Sequence, residues 1–396
     1  MQSEKKQNYK MTIQIIIITL NLIAVVFPCS TLAWVTGPCA NCHTMHASQT
    51  PWPDEWSEKS KLPQQYLLAT AGSSACVGCH SHDTKSDWYE LGGCKVPIVY
   101  TRNTEPSTYL AGGNFYWVKE GKQNADDSKG HNVFYGEGDG NLTAAPGDMG
   151  FAGCVSNCCH KNLHLPQGGV VVGPDNIPLA GGEYGCQGCH LRVRHHARDH
   201  LNFESGLVGL TGEGTVEEAK GWYRFLAGHM SGAKHGVRGY EYKDWEAGHP
   251  NHTPGGIAHN EYLGFQKDGG YGFGGLGHTT TAFCTGCHGV FHSKQKSGSF
   301  WVRHPSDAVI PDSGEYKYVG GAGHLYDPLS PVARPSIPTT EPDKVTPDID
   351  FVMCLSCHRP HGSPYPDILR WNYVAQEAGG GGADTGCFYC HTETND

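Results

Sequence analysis

Six copies of Cys-x-x-Cys-His punctuate the chain: Cys39, Cys42 and His43; Cys76, Cys79 and His80; Cys186, Cys189 and His190; Cys284, Cys287 and His288; Cys354, Cys357 and His358; Cys387, Cys390 and His391. With 17 Cys and 24 His in 396 residues, chance would supply about 0.04 of them. Two thiols three positions apart reach the two vinyl groups of one porphyrin, and the His that follows falls beneath its iron as the proximal ligand. Zinc ribbons also use Cys-x-x-Cys hooks, but a His after every second Cys has no role in them. A seventh site is irregular: Cys154-Val-Ser-Asn-Cys158-Cys159-His160. Its terminal pair matches the other six, so Cys159 and His160 should play the same parts, with the second thioether from Cys154. An exchange of roles between Cys154 and Cys158 stays open. The sequence therefore predicts seven covalent haems of type c.

The N-terminus points to export. Lys5, Lys6 and Lys10 precede an apolar run from Met11 to Phe27, and Thr31-Leu32-Ala33 offers the small residues a signal peptidase reads. Residues 1–33 read as a cleaved signal peptide rather than an anchor, because the run is short of the roughly 20 apolar residues a span needs. No transmembrane span is expected after cleavage. Seven haems use 14 of the 16 cysteines beyond Ala33, leaving Cys94 and Cys158. An even remainder in an oxidising compartment predicts a disulfide between these two.

Histidine supply indicates the ligation. Beyond the seven proximal residues there are 17 others, enough for bis-His ligation throughout, whereas the chain beyond Ala33 has only four Met. Low-potential haems are expected. His46, His164, His292 and His361 follow a proximal His by three or four residues, one helical turn on, so any iron they bind belongs to a neighbouring haem. A haem-free stretch between His190 and Cys284 holds nine more, including His195, His196, His229 and His259. Adjacent His195 and His196 read as partly surface. His131, in a Gly-rich turn, and His304 stand as isolated candidates.

To position these groups the chain has little regular structure to use. It contains 54 Gly and 24 Pro and is only 38% hydrophobic. This predicts a mostly irregular, loop-rich fold with short α-helices and few short strands, its core dominated by porphyrin. About 52 residues would serve each haem, too few to isolate one from another. The organisation expected is a four-haem region over 34–190, a His-rich haem-free segment over 191–283 donating distal ligands, and a three-haem region over 284–396, as one continuous haem-wrapped unit.

The segments GHNV (130–133), YRFLAGH (223–229), HNEYLG (259–264), WVRHPSD (301–307) and CLSCHRPHGSPY (354–365) resemble the doubled-CxxCH multihaem cytochromes c. That family includes surface cytochromes that polymerise into extracellular haem filaments in metal-reducing bacteria. The resemblance implies distal-ligand roles for His131, His259, His292, His304 and His361, with His229 a further candidate. The irregular Cys154 site and the haem count depart from the pattern.

Charge narrows the partners. The whole chain carries −10; removing residues 1–33 takes away three Lys and one Glu, leaving 26 basic against 38 acidic side chains, net −12. Propionates and ferric porphyrins would bring the total to about −19, which excludes a nucleic-acid partner. Other cytochromes and mineral or metal electron acceptors suit it better, and a homopolymer is also expected. The predicted function is electron transfer along closely spaced haems, without substrate chemistry, at the outer cell surface or extracellularly. The alternatives are a soluble periplasmic shuttle and a multihaem reductase or oxidase with one open iron.

Overall fold

The computed structural model describes residues 39, 43, 76–91, 94–118, 127–134, 145–147, 163, 185–190, 195, 223–226, 237–240, 259–265, 279–285, 287–288, 291, 303–338, 342–379 and 385–392. Regular elements among them are brief, as the Gly and Pro content requires. The three α-helices are α1 (Cys76–Cys79), α2 (Thr280–Cys284) and α3 (Cys354–Cys357). Single 3-10 turns occupy Gly185–Gly188 and Gly386–Tyr389. The fold class is thus mostly irregular with short helices and few short strands. None of the described helices is long and apolar enough to cross a membrane. Residues 1–33 lie outside the described residues.

Among the described residues, nine strands form three small sheets. The strands β1 (Ser81–His82) and β4 (Tyr100–Thr101) pair in parallel, and β2 (Trp88–Leu91) and β3 (Cys94–Pro97) form an antiparallel hairpin. The largest sheet has the order β5-β6-β8-β9-β7, built from Gly239–Tyr240, Glu261–Leu263, Ala333–Arg334, Phe351–Val352 and Ala308–Val309. Only β6 and β8 run parallel; the other pairings are antiparallel. This sheet joins the His-rich middle segment to the C-terminal region, so the two share one core of Tyr223, Val237, Tyr262, Ala333, Phe351 and Met353. Two further small cores centre on Phe115 and Phe134 and on Tyr326 and Tyr389. Trp117 is buried, 2% exposed, and its indole N–H donates to Glu105.

A junction ties the first half to the last motif region. Asn114 N–H donates to Gly362 O at 3.0 Å, His361 N–H to Gly112 O at 2.8 Å, and Ser363 N–H to Lys129 O at 2.9 Å. Arg359, fully buried, donates to the carbonyls of Ala111 and Leu110 and lies over the Tyr109 ring at 4.9 Å. Gly113 makes this close approach possible. It sits at φ +90°, and a Cβ there would run into the Gly362 carbonyl oxygen. Gly113→Ala should therefore destabilise the holoprotein by roughly 2 kcal/mol or more, combining left-handed strain with the clash. Denaturant unfolding beside the wild type checks this; an unchanged midpoint would refute the tight junction.

Candidate haem-binding sites

The regular motifs share one local device. In all six, the backbone N–H of the His donates to the carbonyl of the first Cys, four residues earlier, at 2.8 Å for His43 and His80 and no more than 3.1 Å for His190, His288, His358 and His391. One turn of helix is enough to swing both thiols and the imidazole to one side. The helix then stops. His358 is already extended at φ −118°, ψ 153°, so His361 is not on a continuing helix one turn later. The backbone reverses instead, closing a Gly362 N–H to Arg359 O bond and docking His361 against Gly112 and the Phe115 ring.

In four of these histidines the outer nitrogen of the imidazole bonds a backbone carbonyl. Nδ1 bonds to Pro97 O in His80 (2.8 Å), Arg224 O in His190 (2.7 Å), Pro146 O in His288 (2.7 Å) and Asp367 O in His358 (2.8 Å). A carbonyl can only accept, so Nδ1 carries the proton and Nε2 is left with its lone pair, the tautomer a metal needs. His131 does the same with Pro360 O (2.9 Å), His304 with Pro305 O (2.8 Å) and His324 with Val319 O (3.0 Å). Burial also favours the neutral imidazole: it pushes His131 down to about 4 and His361 to about 3, and lowers His80, His190 and His358.

Four proximal histidines face another histidine. Ring centres are 6.1 Å apart for His80 and His195, 6.0 Å for His190 and His361, 6.0 Å for His288 and His131, and 6.2 Å for His391 and His304. Two imidazoles bound on opposite sides of one metal, at the ~2.0–2.1 Å usual for a His–metal bond, place their ring centres roughly 6.3 Å apart. Direct packing of rings would not impose one spacing on four pairs with interplanar angles from 21° to 77°. The donor set, the tautomers and the spacing all fit a haem iron between each pair.

Two of the carbonyl acceptors come from a repeated strained turn. Arg224-Phe225 and Asp367-Ile368 all have φ between 53° and 58°, and each pair ends a 3-10 turn, Tyr223–Phe225 or Pro366–Ile368. The residue that follows, Leu226 or Leu369, forms an isolated antiparallel bridge to His190 or His358. Left-handed backbone at Phe and Ile costs about 1–3 kcal/mol per residue and persists only when tertiary contacts impose it. Here it aims the Arg224 and Asp367 carbonyls at Nδ1.

The cysteines of five regular motifs adjoin. Cys76 and Cys186 are hydrogen-bonded, as are Cys284 and Cys354; Cys189 lies near enough to Cys284, and Cys357 to Cys387 and Cys390, to interact electrostatically. Thioethers form at porphyrin edges, so this series brings the edges of five haem sites together in sequence order.

Not every expected ligand is paired in this way. His259 is fully buried, but its Nε2 bonds Glu261 Oε1 at 2.8 Å and its ring stacks on Tyr326 at 3.8 Å, which places it in a polar network rather than opposite a proximal His. Cys94 is half-buried at the start of β3. Cys42, His46, Cys154, Cys158, Cys159, His160, His164, His229 and His292 lie outside the described residues. His195, read from sequence as partly surface, is exposed and nevertheless faces His80. His324 and the carbonyl acceptors were missed. A backbone acceptor has no sequence signal beyond the recurrence of Pro at four of the seven.

Comparison with known proteins agrees with these motifs. The family model "Doubled CXXCH motif" matches residues 351–396, which contain the Cys354 and Cys387 sites. The chain is 25% identical over 379 residues to the C-type cytochrome OmcS of Geobacter sulfurreducens, covering 84% of this chain and 78% of that one. Two solved structures also match: the outer membrane cytochrome S filament from Geobacter sulfurreducens (19% identity, TM-score 0.44) and the OmcS nanowires of that organism (21%, 0.41), each covering 88% of this chain and 86% of the other. The chain resembles the multihaem c-type cytochromes with doubled CXXCH motifs.

Proposed function

We propose that this protein is an exported seven-haem electron carrier whose haems are bis-His ligated and run in contact along the chain. The observation that carries the reading is the set of four His pairs with a common ring spacing near 6 Å, each containing one proximal His. Bound haem would supply a one-electron iron couple. The protein's own residues do the rest. The Cys pairs would hold the porphyrin, and the iron would be held by His80 with His195, His190 with His361, His288 with His131, and His391 with His304. Carbonyls at Nδ1 of His80, His190, His288, His131 and His304 support the ligating tautomer and orientation of those five rings. Iron held between two imidazoles would not be open to a substrate at any of these four sites. That supports electron transfer over reductase or oxidase chemistry.

Residues 1–33 support export to the outer surface or beyond, and the similarity to a protein named C-type cytochrome OmcS supports haem-based electron transfer. Homopolymerisation belongs to the same proposal. Three measurements on the matured, secreted protein test it. Intact mass should exceed the apoprotein by seven haems, EPR of the oxidised form should be low-spin throughout, and electron microscopy should show assemblies. A mass of six haems removes the Cys154–Cys159 site, and a high-spin component would overturn bis-His ligation at one haem. Monomers alone would remove the polymer and leave the carrier.

A further inference from the structure

Five proximal histidines have a defined partner for Nδ1, and one differs from the rest. His80, His190, His288 and His358 each donate to a neutral backbone carbonyl, whereas His391 Nδ1 lies 3.1 Å from Glu315 Oε2. A carboxylate is the stronger acceptor. It draws the Nδ1 proton toward itself, makes Nε2 more electron-rich, and so favours the ferric over the ferrous state of a metal bound there.

The surrounding contacts fix this pair. Ser313 leads into a 3-10 turn over Gly314–Tyr316, and Thr392, the residue after His391, donates its hydroxyl to the Glu315 backbone carbonyl at 3.0 Å. The Tyr316 ring stands edge-on to the His391 ring, with centres 5.0 Å apart, and its hydroxyl donates to the Glu315 carboxylate. The carboxylate is therefore held from two sides although its side chain is 36% exposed. Because water screens a charge at this exposure, the direct hydrogen bond must carry the effect.

We propose that Glu315 is a positioning residue that sets the potential of the Cys387–Cys390 haem, making it the lowest-potential haem of the five sites joined through their thiols. The inference rests on bis-His haem ligation as proposed above. In the described series this site adjoins only the Cys354–Cys357 site, through Cys357. An electron placed on the Cys387–Cys390 haem would pass downhill to its neighbour, oxidising one iron and reducing the other by one electron with no proton transferred. The device thus makes this end the donor end of the series.

Spectroelectrochemical titration of matured wild type, Glu315→Gln and Glu315→Asp tests it. Gln keeps the shape and an accepting oxygen without the charge; Asp keeps the charge at longer reach. In Glu315→Gln the lowest component should rise by at least a tenfold change in its reduction equilibrium, 59 mV for one electron, with the other components unmoved and Asp intermediate. Haem mass and EPR are recorded on the same samples. Seven low-spin haems with identical titrations in all three proteins would overturn the role of Glu315 while leaving bis-His ligation intact. Fewer haems or a high-spin signal in wild type would instead overturn the underlying reading. If Glu315→Gln matures with fewer haems, the Asp variant decides: a raised lowest component supports the role, and an unmoved one refutes it.

Discussion

Replacing His131 with Met should raise the potential of one haem, that of the Cys284–Cys287 site, by on the order of 0.1 V, a fraction of the ≈ 0.8 V that axial ligands command. His131 faces His288 with ring centres 6.0 Å apart, and it is oriented by a 2.9 Å bond from Nδ1 to Pro360 O. A thioether is a softer donor than imidazole and stabilises the ferrous state. Redox titration should show a single displaced component, and the other haems should keep their potentials because their own pairs are untouched. His131→Ala should leave that iron one ligand short and introduce one high-spin ferric signal. An unaltered titration and spectrum in both variants would mean that the sixth ligand of this haem comes from elsewhere and that the spacing of the pair has another origin.

Arg334→Met should cost about 3–5 kcal/mol, the usual result of removing one partner from a buried ionic network. Arg334 lies on β8 between two carboxylates. Its Nε donates to Glu261 Oε2 of β6 at 3.1 Å and its Nη1 to Asp350 Oδ2, just before β9, at 2.5 Å. All three residues are buried, and His259 closes the network through Glu261. Removing the cation leaves both carboxylates in the sheet core.

The loss should also depend on pH. Burial already raises Asp350 above the ordinary carboxylate range even with Arg334 opposing the shift. Without the cation it rises further, so the folded state binds a proton more tightly than the unfolded one, and stability falls as pH increases from the ordinary carboxylate range toward neutrality. Denaturant unfolding at pH 5 and pH 7, followed by circular dichroism, should show the larger deficit at pH 7. The triple variant Arg334→Met, Glu261→Gln, Asp350→Asn should recover most of it. A deficit under 1 kcal/mol at both pH values would show that the network is hydrated.

The candidate haem sites were legible because the chemistry of their motif is local. Cys-x-x-Cys-His needs only one turn of chain, and the same His N–H to Cys carbonyl bond recurs in all six regular motifs. The scarcity of regular structure could likewise be read from Gly and Pro content, since those residues act on their own backbone. Reasoning from helical periodicity failed just after the motif. It placed His361 one turn beyond His358 on a helix, but the helix ends at Cys357 and a tertiary junction with Gly112 and Asn114 positions the ring.

The pairing of histidines is a long-range property, and for it the local sequence offered only a pool of candidates. His131 and His288, like His190 and His361, are separated by well over 100 residues, and nothing local distinguishes His195, which faces His80, from the neighbouring His196. The acceptors that set the tautomers are backbone carbonyls, which every residue possesses. Their orientation depends on strained turns at Arg224-Phe225 and Asp367-Ile368 that local propensity opposes. Residue type and short spacing thus determined the candidate attachment cysteines, the histidine that follows each pair and the loop-rich character of the chain. Which histidine meets which, where Glu315 stands, and how His259 is committed to Glu261 were decided only when packing brought distant segments together, because those pairings depend on contacts that no local interaction encodes.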